Sequence, residues 1–342
     1  RRLPTGPLAG DTWLTFDLTS LIRPSNQDIA GRDVSRLGTS LDWRDSLVAG
    51  PGLVVSGQTG YMASLYGIGD DSTFDTEVAR STPYAAVGLR WPLQRTGTGG
   101  VSHLIEPTVS LFWSETSGGS VPNEDSTLVE FDEGNLFAFD RFPGADRREE
   151  GLRTAVAVGY TRVDPSGWSL GVTVGRLFAE QATGDFSSST GLTGTTSDWL
   201  FALSYDLGDR FRIVSRALAE DLESVTRSET RLDWAGSRLA LGTVYTFAEA
   251  DLADNRPDPT SEWTLDASYR LNRNWTTEVG WRYDTDEGRP VTAEGELRYE
   301  NECVRVDLSV SRRYPRSATV SPTTEFVFEV AFGGFGARGD SR

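Results

Sequence analysis

The chain has 342 residues, with 33 basic and 50 acidic side chains, a formal net charge of −17, and a single Cys, Met and His. Every basic residue is Arg, which excludes chemistry built on a P-loop or Schiff-base lysine. The acidic excess speaks against a nucleic-acid partner, and one His with one Cys cannot build a zinc site or an iron–sulfur cluster, so no cofactor is expected.

The hydrophobic content of 37% and mean hydropathy of −0.36 look like those of a soluble or disordered chain. Ten Trp, ten Tyr and sixteen Phe argue against disorder. No stretch approaches the ~20 apolar residues of a membrane helix, and Arg1-Arg2-Leu3-Pro4 does not open a signal peptide. A transmembrane β-barrel remains open, because it alternates lipid-facing apolar residues with polar lumen residues and averages to a soluble-looking hydropathy.

In chain order, the first recognisable strand lies around Thr12–Leu18. Period-two alternation then appears at Ala85/Val87/Leu89/Trp91, Trp168/Leu170/Val172/Val174 and Trp199/Phe201/Leu203/Tyr205/Leu207. It continues at Leu239/Leu241/Thr243/Tyr245/Phe247, at Trp263/Leu265/Ala267/Tyr269/Leu271 and at Trp275/Thr277/Val279/Trp281/Tyr283. Val304/Val306/Leu308/Val310 and Thr324/Phe326/Phe328/Val330/Phe332 close the series. The pattern predicts about sixteen strands, mostly of ~9–12 residues, the length that crosses a bilayer at a tilt. The fold class expected is all-β, a transmembrane antiparallel barrel.

The connections alternate in length. Ala49–Pro51, Arg95–Gly100, Asp164–Gly167, Gly208–Arg210, Ala235–Ser237, Asn272–Asn274 and Glu300–Glu302 are short. Gly67–Pro83, Glu115–Gly151, Glu180–Asp198 and Glu249–Glu262 are long and polar. Outer-membrane barrels keep their short turns periplasmic, whereas a soluble sandwich has no reason for such parity. On this parity Cys303 and His103 both lie at the periplasmic ends of their strands. His103 is the only candidate general base and has no matched partner, so no enzyme is expected. Asp70-Asp71 and Asp251/Asp254/Asp258 lack calcium-loop spacing and read as solvated loop charge.

The long loop from Glu115 to Gly151 is dense in aromatics, glycine and paired charges, which predicts an ordered loop that folds back. Its block EDSTLVEFDEGNLFAFDRFPGADRREEG resembles the LptD (OstA) family of outer-membrane lipopolysaccharide-assembly proteins. The matching positions are Asp125, Ser126, Leu136, Phe137, Arg141, Phe142, Gly144, Asp146 and Arg147. His103-Leu104-Ile105-Glu106-Pro107 ahead of the loop is similar to the same family, as are YENECVRVDLSVSRRY and the closing segment Phe326–Gly336. These blocks cover about residues 101–163 and 299–336; between them the resemblance rests on strand pattern alone.

The resemblance implies an outer-membrane translocon that delivers lipopolysaccharide to the outer leaflet by lateral opening of its barrel. Its implied partners are lipopolysaccharide, the plug lipoprotein LptE, a periplasmic lipopolysaccharide bridge received by an N-terminal jellyroll, and the barrel-assembly machinery. The whole chain, 1–342, then reads as the C-terminal barrel portion, with the jellyroll and first strands absent. In the family a Cys pair follows the last short turn and is bonded to the N-terminal domain. Here Glu302 takes the first place, and Cys303 is the candidate for a disulfide to the absent segment. The last gate strand would be Thr323–Phe332, with Phe326, Phe328, Val330 and Phe332 on one face, and Gly333, Gly334 and Gly336 would limit its pairing. Asp266, Arg270, Glu278, Arg282, Glu294, Glu296, Arg298, Arg305 and Asp307 would line a hydrated lumen. The alternative is a sixteen-stranded porin for small solutes, with the Glu115–Gly151 loop as its constriction.

Overall fold

A computed structural model of the chain describes residues 2–3, 9–126, 128–182, 186–221, 223–315 and 321–332. Wherever apolar and polar residues alternate, the chain is extended, because successive side chains of a strand point to opposite faces. The sixteen long strands begin with β1 (Asp11–Leu21), β2 (Asp33–Ala49), β3 (Leu53–Gly69), β4 (Glu77–Arg90) and β5 (Ser102–Ser114). They continue with β6 (Gly151–Asp164), β7 (Trp168–Ala179), β8 (Trp199–Leu207), β9 (Phe211–Ala219), β10 (Val225–Ala235) and β11 (Leu239–Ala248). β12 (Thr260–Arg270), β13 (Trp275–Asp284), β14 (Arg289–Glu300), β15 (Val304–Arg313) and β16 (Thr323–Phe332) complete the wall.

Each strand pairs antiparallel with the next in sequence, from β1–β2 through to β15–β16. Short pieces extend this ladder: Leu93–Thr96 continues β4 alongside β5, and Ser117–Gly118 continues β5 alongside β4. At the far edge Arg2–Leu3 pairs with the start of β1. Shorter and longer connections alternate along most of the wall, although those after β9 (220–224) and β13 (285–288), on the long-loop side, are brief.

Five strands are longer than the pattern predicts, most of all β2 and β3 at 17 residues each, with β4, β5 and β6 at 13–14. The predicted connection Gly67–Pro83 shrinks accordingly, to residues 70–76. Inward-facing Val34, Tyr66, Ile68 and Val78 form a buried cluster there with Phe74 and Val121, and this contact carries the ladder beyond the bilayer-length segment.

Pairing registers assign the two faces. Leu37, Leu65, Leu111, Leu203, Trp263, Trp281, Leu308 and Phe328 lie outward and are exposed, as lipid-facing residues of a barrel are. Asp266, Glu278, Glu294, Arg298 and Asp307 lie on the opposite, inward face. This is the wall of an outer-membrane β-barrel, and none of its elements is a helix long and apolar enough to cross a membrane. Among the described residues no register joins β16 to β1, all ten residues of β16 are exposed, and the outer edge of β1 is paired only at Thr12 and Trp13. The glycines at 333, 334 and 336 lie outside the described residues.

Candidate functional site

The lumen is not empty. The loop between β5 and β6 turns inward and fills the long-loop end of the barrel, together with part of the loop between β7 and β8. Val129, Phe131, Leu136 and Phe142 of the first loop, and Phe186 and Leu192 of the second, pack on inward Phe112, Ala155, Ala157, Leu177, Leu200 and Leu218. An inward apolar stripe on five barrel strands is therefore the seat for the loops. Each large loop side chain so buried contributes about 1.5–3 kcal/mol. Phe142 stacks on Phe186 with ring centroids 4.6 Å apart. Leu136 is fully buried above Gly175, where a Cβ would come within 2.4 Å of its Cδ2.

Polar contacts fix the loop in register. The Asp146 carboxylate accepts from Arg36 Nη1 (2.9 Å), Tyr66 Oη (3.2 Å) and the Glu124 amide (3.0 Å), while Arg80 Nη1 donates to its carbonyl at 2.7 Å. One loop residue thus gathers side chains from β2, β3 and β4. Asp125 Oδ2 accepts from the amides of Ala145 and Asp146 at 2.7 and 2.9 Å. That arrangement requires glycine at 144, where a Cβ would lie 1.8 Å from Asp125 Cγ. Glu124 is gripped by Arg23 Nη2 at 2.6 Å and Arg32 Nη1 at 3.2 Å, and Arg32 also pairs with Asp71 at 2.5 Å. On the far wall Glu133 pairs with Arg216 of β9 at 2.7 Å.

The deepest contact is ionic. Arg141, Glu149 and Arg153 have side-chain exposures of 0%, 1% and 1%. Arg141 Nη1 donates to both Glu149 oxygens at 2.9 Å, and its Nη2 donates to the Leu136 carbonyl at 2.6 Å. Arg153 Nη1 meets Glu149 at 2.9 Å and the Phe139 carbonyl at 3.0 Å; its Nη2 donates to Ser114 Oγ at 3.1 Å. Two cations share one anion in a dry place, which is tolerable only because hydrogen bonds and the faces of Phe131 and Phe139 surround the guanidiniums. Burial pulls the Arg141 guanidinium down against the pull of Glu149, and burial raises the neighbouring Asp140 carboxyl despite Arg148.

The second loop is held from the side by the loop following β11. Asp251 Oδ2 accepts from the Ser189 amide at 2.8 Å, and Asp254 accepts from Ser189 Oγ at 3.1 Å. Burial alone would raise the Asp251 carboxyl, but donors from Ser189, Ser187 and Ala253 draw it down to about 2.

Of the loop positions singled out from sequence, Asp125, Leu136, Phe137, Arg141, Phe142, Gly144 and Asp146 come together in this plug. Arg147 lines a cavity of about 890 Å³ at the long-loop mouth, and Ser126 is exposed. Cys303 is an exposed free thiol at the turn before β15, and Phe326, Phe328, Val330 and Phe332 share the outward face of β16. His103 is on the outer wall, hydrogen-bonded to Tyr160 at 3.0 Å. Sequence reasoning missed Glu149, Arg153, Ser114, Arg36, Tyr66 and Arg216. The strand residues among them had visible inward parity, but a polar inward residue ordinarily faces lumen water; Glu149 lies in the loop itself, and nothing local marks that loop as their partner. Toward the short turns the lumen stays open, with a cavity of about 960 Å³ lined by Asp233, Asp266, Glu278, Glu294, Arg231 and others.

A model of the family described as "LptD: LPS transport system D" matches residues 4–260. The LPS-assembly protein LptD of Xanthomonas oryzae pv. oryzae (strain MAFF 311018) is 24% identical over 266 residues, covering 72% of this chain and 32% of that protein. The LPS-assembly protein LptD of Saccharophagus degradans is 23% identical over 364 residues, covering 95% of this chain and 42% of that one. The chain thus spans less than half the length of these relatives. Among solved structures, the ferric preacinetobactin receptor BauA of Acinetobacter baumannii aligns at TM-score 0.38 and 10% identity, over 94% of this chain and 61% of that one. A porin mutant of Rh. blastica aligns at TM-score 0.28 and 13% identity, over 94% and 99%.

Proposed function

The chain belongs to the LptD family, and from that premise we propose that it is the C-terminal barrel portion of a translocon delivering lipopolysaccharide to the outer leaflet by sideways opening. The observation that carries this reading is the combination of a blocked top and an open side. The loop between β5 and β6 seals part of the long-loop end with an apolar core and buried ions, which obstructs exit along the barrel axis. The wall, meanwhile, has a ten-residue edge with every residue exposed. In hydrocarbon each unpaired backbone group costs several kcal/mol, so such an edge abuts another strand, which on this reading belongs to a larger barrel. A seam made there is the weakest line in the wall, and separating it gives acyl chains a route into the bilayer while the sugar head stays in the hydrated lumen.

On this reading β16 is the last gate strand, and its partner lies in the polypeptide upstream. Cys303, at a short turn, bonds to the upstream periplasmic segment in that oxidising compartment. The partners are lipopolysaccharide, the periplasmic bridge, the plug lipoprotein LptE and the barrel-assembly machinery. The chain acts as a transporter and breaks no bond.

A porin is the second reading, favoured by sixteen long strands and an inward loop. Against it, the inward loop presents a dry core where a porin constriction needs hydrated charge. The experiment is a reducible cross-link between β16 and the strand that abuts it in the full-length protein. Lipopolysaccharide export should stop and return on reduction; unimpaired export in fully cross-linked protein overturns the proposal.

A further inference from the structure

The outer face of the wall carries very few charges at the short-turn end, and two arginines fall in one row with the chain's single histidine between them. Register places Arg95 opposite His103, and His103 opposite Arg162, so the three side chains lie on adjacent strands at one level and point outward. The row continues into Leu170 and Tyr205. One step toward the turns lies an aromatic belt that includes Trp168, Phe211 and Trp234. One step toward the bilayer centre the row is Leu93, Ile105, Tyr160, Val172 and Leu203, apolar apart from one phenol. From β8 to β16 the equivalent outward positions are uncharged: Leu207, Phe211, Trp234, Leu239, Tyr269, Trp275, Tyr299, Val304 and Phe332 among them.

Charged side chains facing lipid are costly unless they reach the headgroups or meet an opposite charge. Arg95 is exposed and has no ion-pair partner among the described residues. His103 Nδ1 is bridged to Tyr160 Oη at 3.0 Å. Arg162 lies 4.6 Å from the Trp168 ring centroid and pairs with Asp164 at 3.1 Å, while its buried Nε makes no hydrogen bond. Asp164 divides its carboxylate, Oδ2 accepting from Arg162 and Oδ1 from the amide and hydroxyl of Ser166, which leaves Arg95 as the unpaired cation of the row among the described residues. In a chain of net charge −17 this is a local surplus of cation at headgroup depth, with aromatic rings beneath it and an apolar wall above.

We propose that Arg95, His103 and Arg162 form an annular site for an anionic glycerophospholipid, its phosphate on the guanidiniums and its acyl chains along Leu93, Ile105, Val172 and Leu203. The choice of lipid rests on the reading that the short turns are periplasmic, since that leaflet is built of phospholipid. Guanidiniums bind phosphate in bidentate fashion, and basic clusters at the membrane interface hold anionic headgroups.

The test is native mass spectrometry of the full-length protein in detergent with dioleoylphosphatidylglycerol, dioleoylphosphatidylcholine or purified lipopolysaccharide. The wild type should retain phosphatidylglycerol over phosphatidylcholine, and each of Arg95→Gln and Arg162→Gln should lower that preference roughly five-fold at low salt. Arg312→Gln, an outward arginine at the long-loop end beside Tyr314, should leave it unchanged. Heat-modifiable gel mobility verifies that each variant is folded. Equal retention of the two phospholipids by the wild type, full preference in the double variant, or lipopolysaccharide retention that falls with these same substitutions overturns the proposal. The sidedness is read separately, by labelling Asp209→Cys in its short turn with an impermeant maleimide. Labelling only after outer-membrane permeabilisation supports the periplasmic reading; labelling in intact cells refutes it without touching the phosphate contact.

Discussion

Replacing Arg153 with Met tests whether the ion cluster, as well as the apolar core, holds the plug in the lumen. Met keeps most of the stem's volume but removes the cation that Glu149 shares between β6 and the loop. Glu149 keeps Arg141, while Ser114 Oγ and the Phe139 carbonyl each lose a donor. No charge is thus left uncompensated; the cost is a lost charge-assisted hydrogen bond and two buried acceptors left without that donor, about 3–4 kcal/mol in all. If the loop opens locally without unfolding the wall, that cost appears as a roughly 10²- to 10³-fold rise in its opening equilibrium. Amide hydrogen exchange over residues 128–149 of the full-length protein reads this directly, with β12–β15 as the internal reference. Unchanged protection in the loop would refute the reasoning, since the cluster would then be incidental to docking. Equal loss of protection in loop and reference strands would also refute it, because the loop would have no opening of its own.

Gly144→Ala should destabilise the plug by forcing a methyl group into the Asp125 carboxylate. Asp125→Ala removes both that carboxylate and the acceptor for two amides, so the double variant should cost less than the sum of the singles in a thermal-shift cycle. Leu136→Ala should cost about 2–5 kcal/mol of loop protection in the same exchange experiment, the spread reflecting how far the fully buried site collapses. Asp251→Asn should release the loop after β7 in a pH-dependent way. The folded carboxyl stands at about 2 against an ordinary 3.8, so its contribution, at most about 2 kcal/mol, is complete above the ordinary value and is lost as pH falls through the lower one. Wild type and variant should therefore differ in exchange at pH 7 and converge near pH 2. The Asp140 carboxyl, raised by burial, works the other way. Asp140→Asn with Arg148 retained should narrow its stability gap from wild type as pH is lowered. Non-reducing electrophoresis of the full-length protein should show a mobility change on reduction that Cys303→Ser abolishes.

Much of this molecule was legible in its residues taken one after another. Period-two alternation such as Trp263/Leu265/Ala267/Tyr269 dictates a strand with one apolar face, and parity between short and long connections dictates a meander with two unlike ends. The 37% hydrophobic content that suggested a soluble chain is the average of a lipid face and a lumen face. The motif around Asp125, Gly144 and Asp146 announced an ordered loop. Its destination depended on contacts between residues far apart in sequence. Asp146 meets Arg36, Tyr66 and Arg80 only once β2, β3 and β4 are side by side, and Arg153 finds Glu149 only once the loop has turned inward. The row of Arg95, His103 and Arg162 has the same origin, since cross-strand register alone makes neighbours of residues up to 59 apart. Alternation is a local property that each strand carries by itself. Lumen filling, free edges and lateral charge rows exist only after the strands are laid in order, because each is a relation between faces that no single strand possesses.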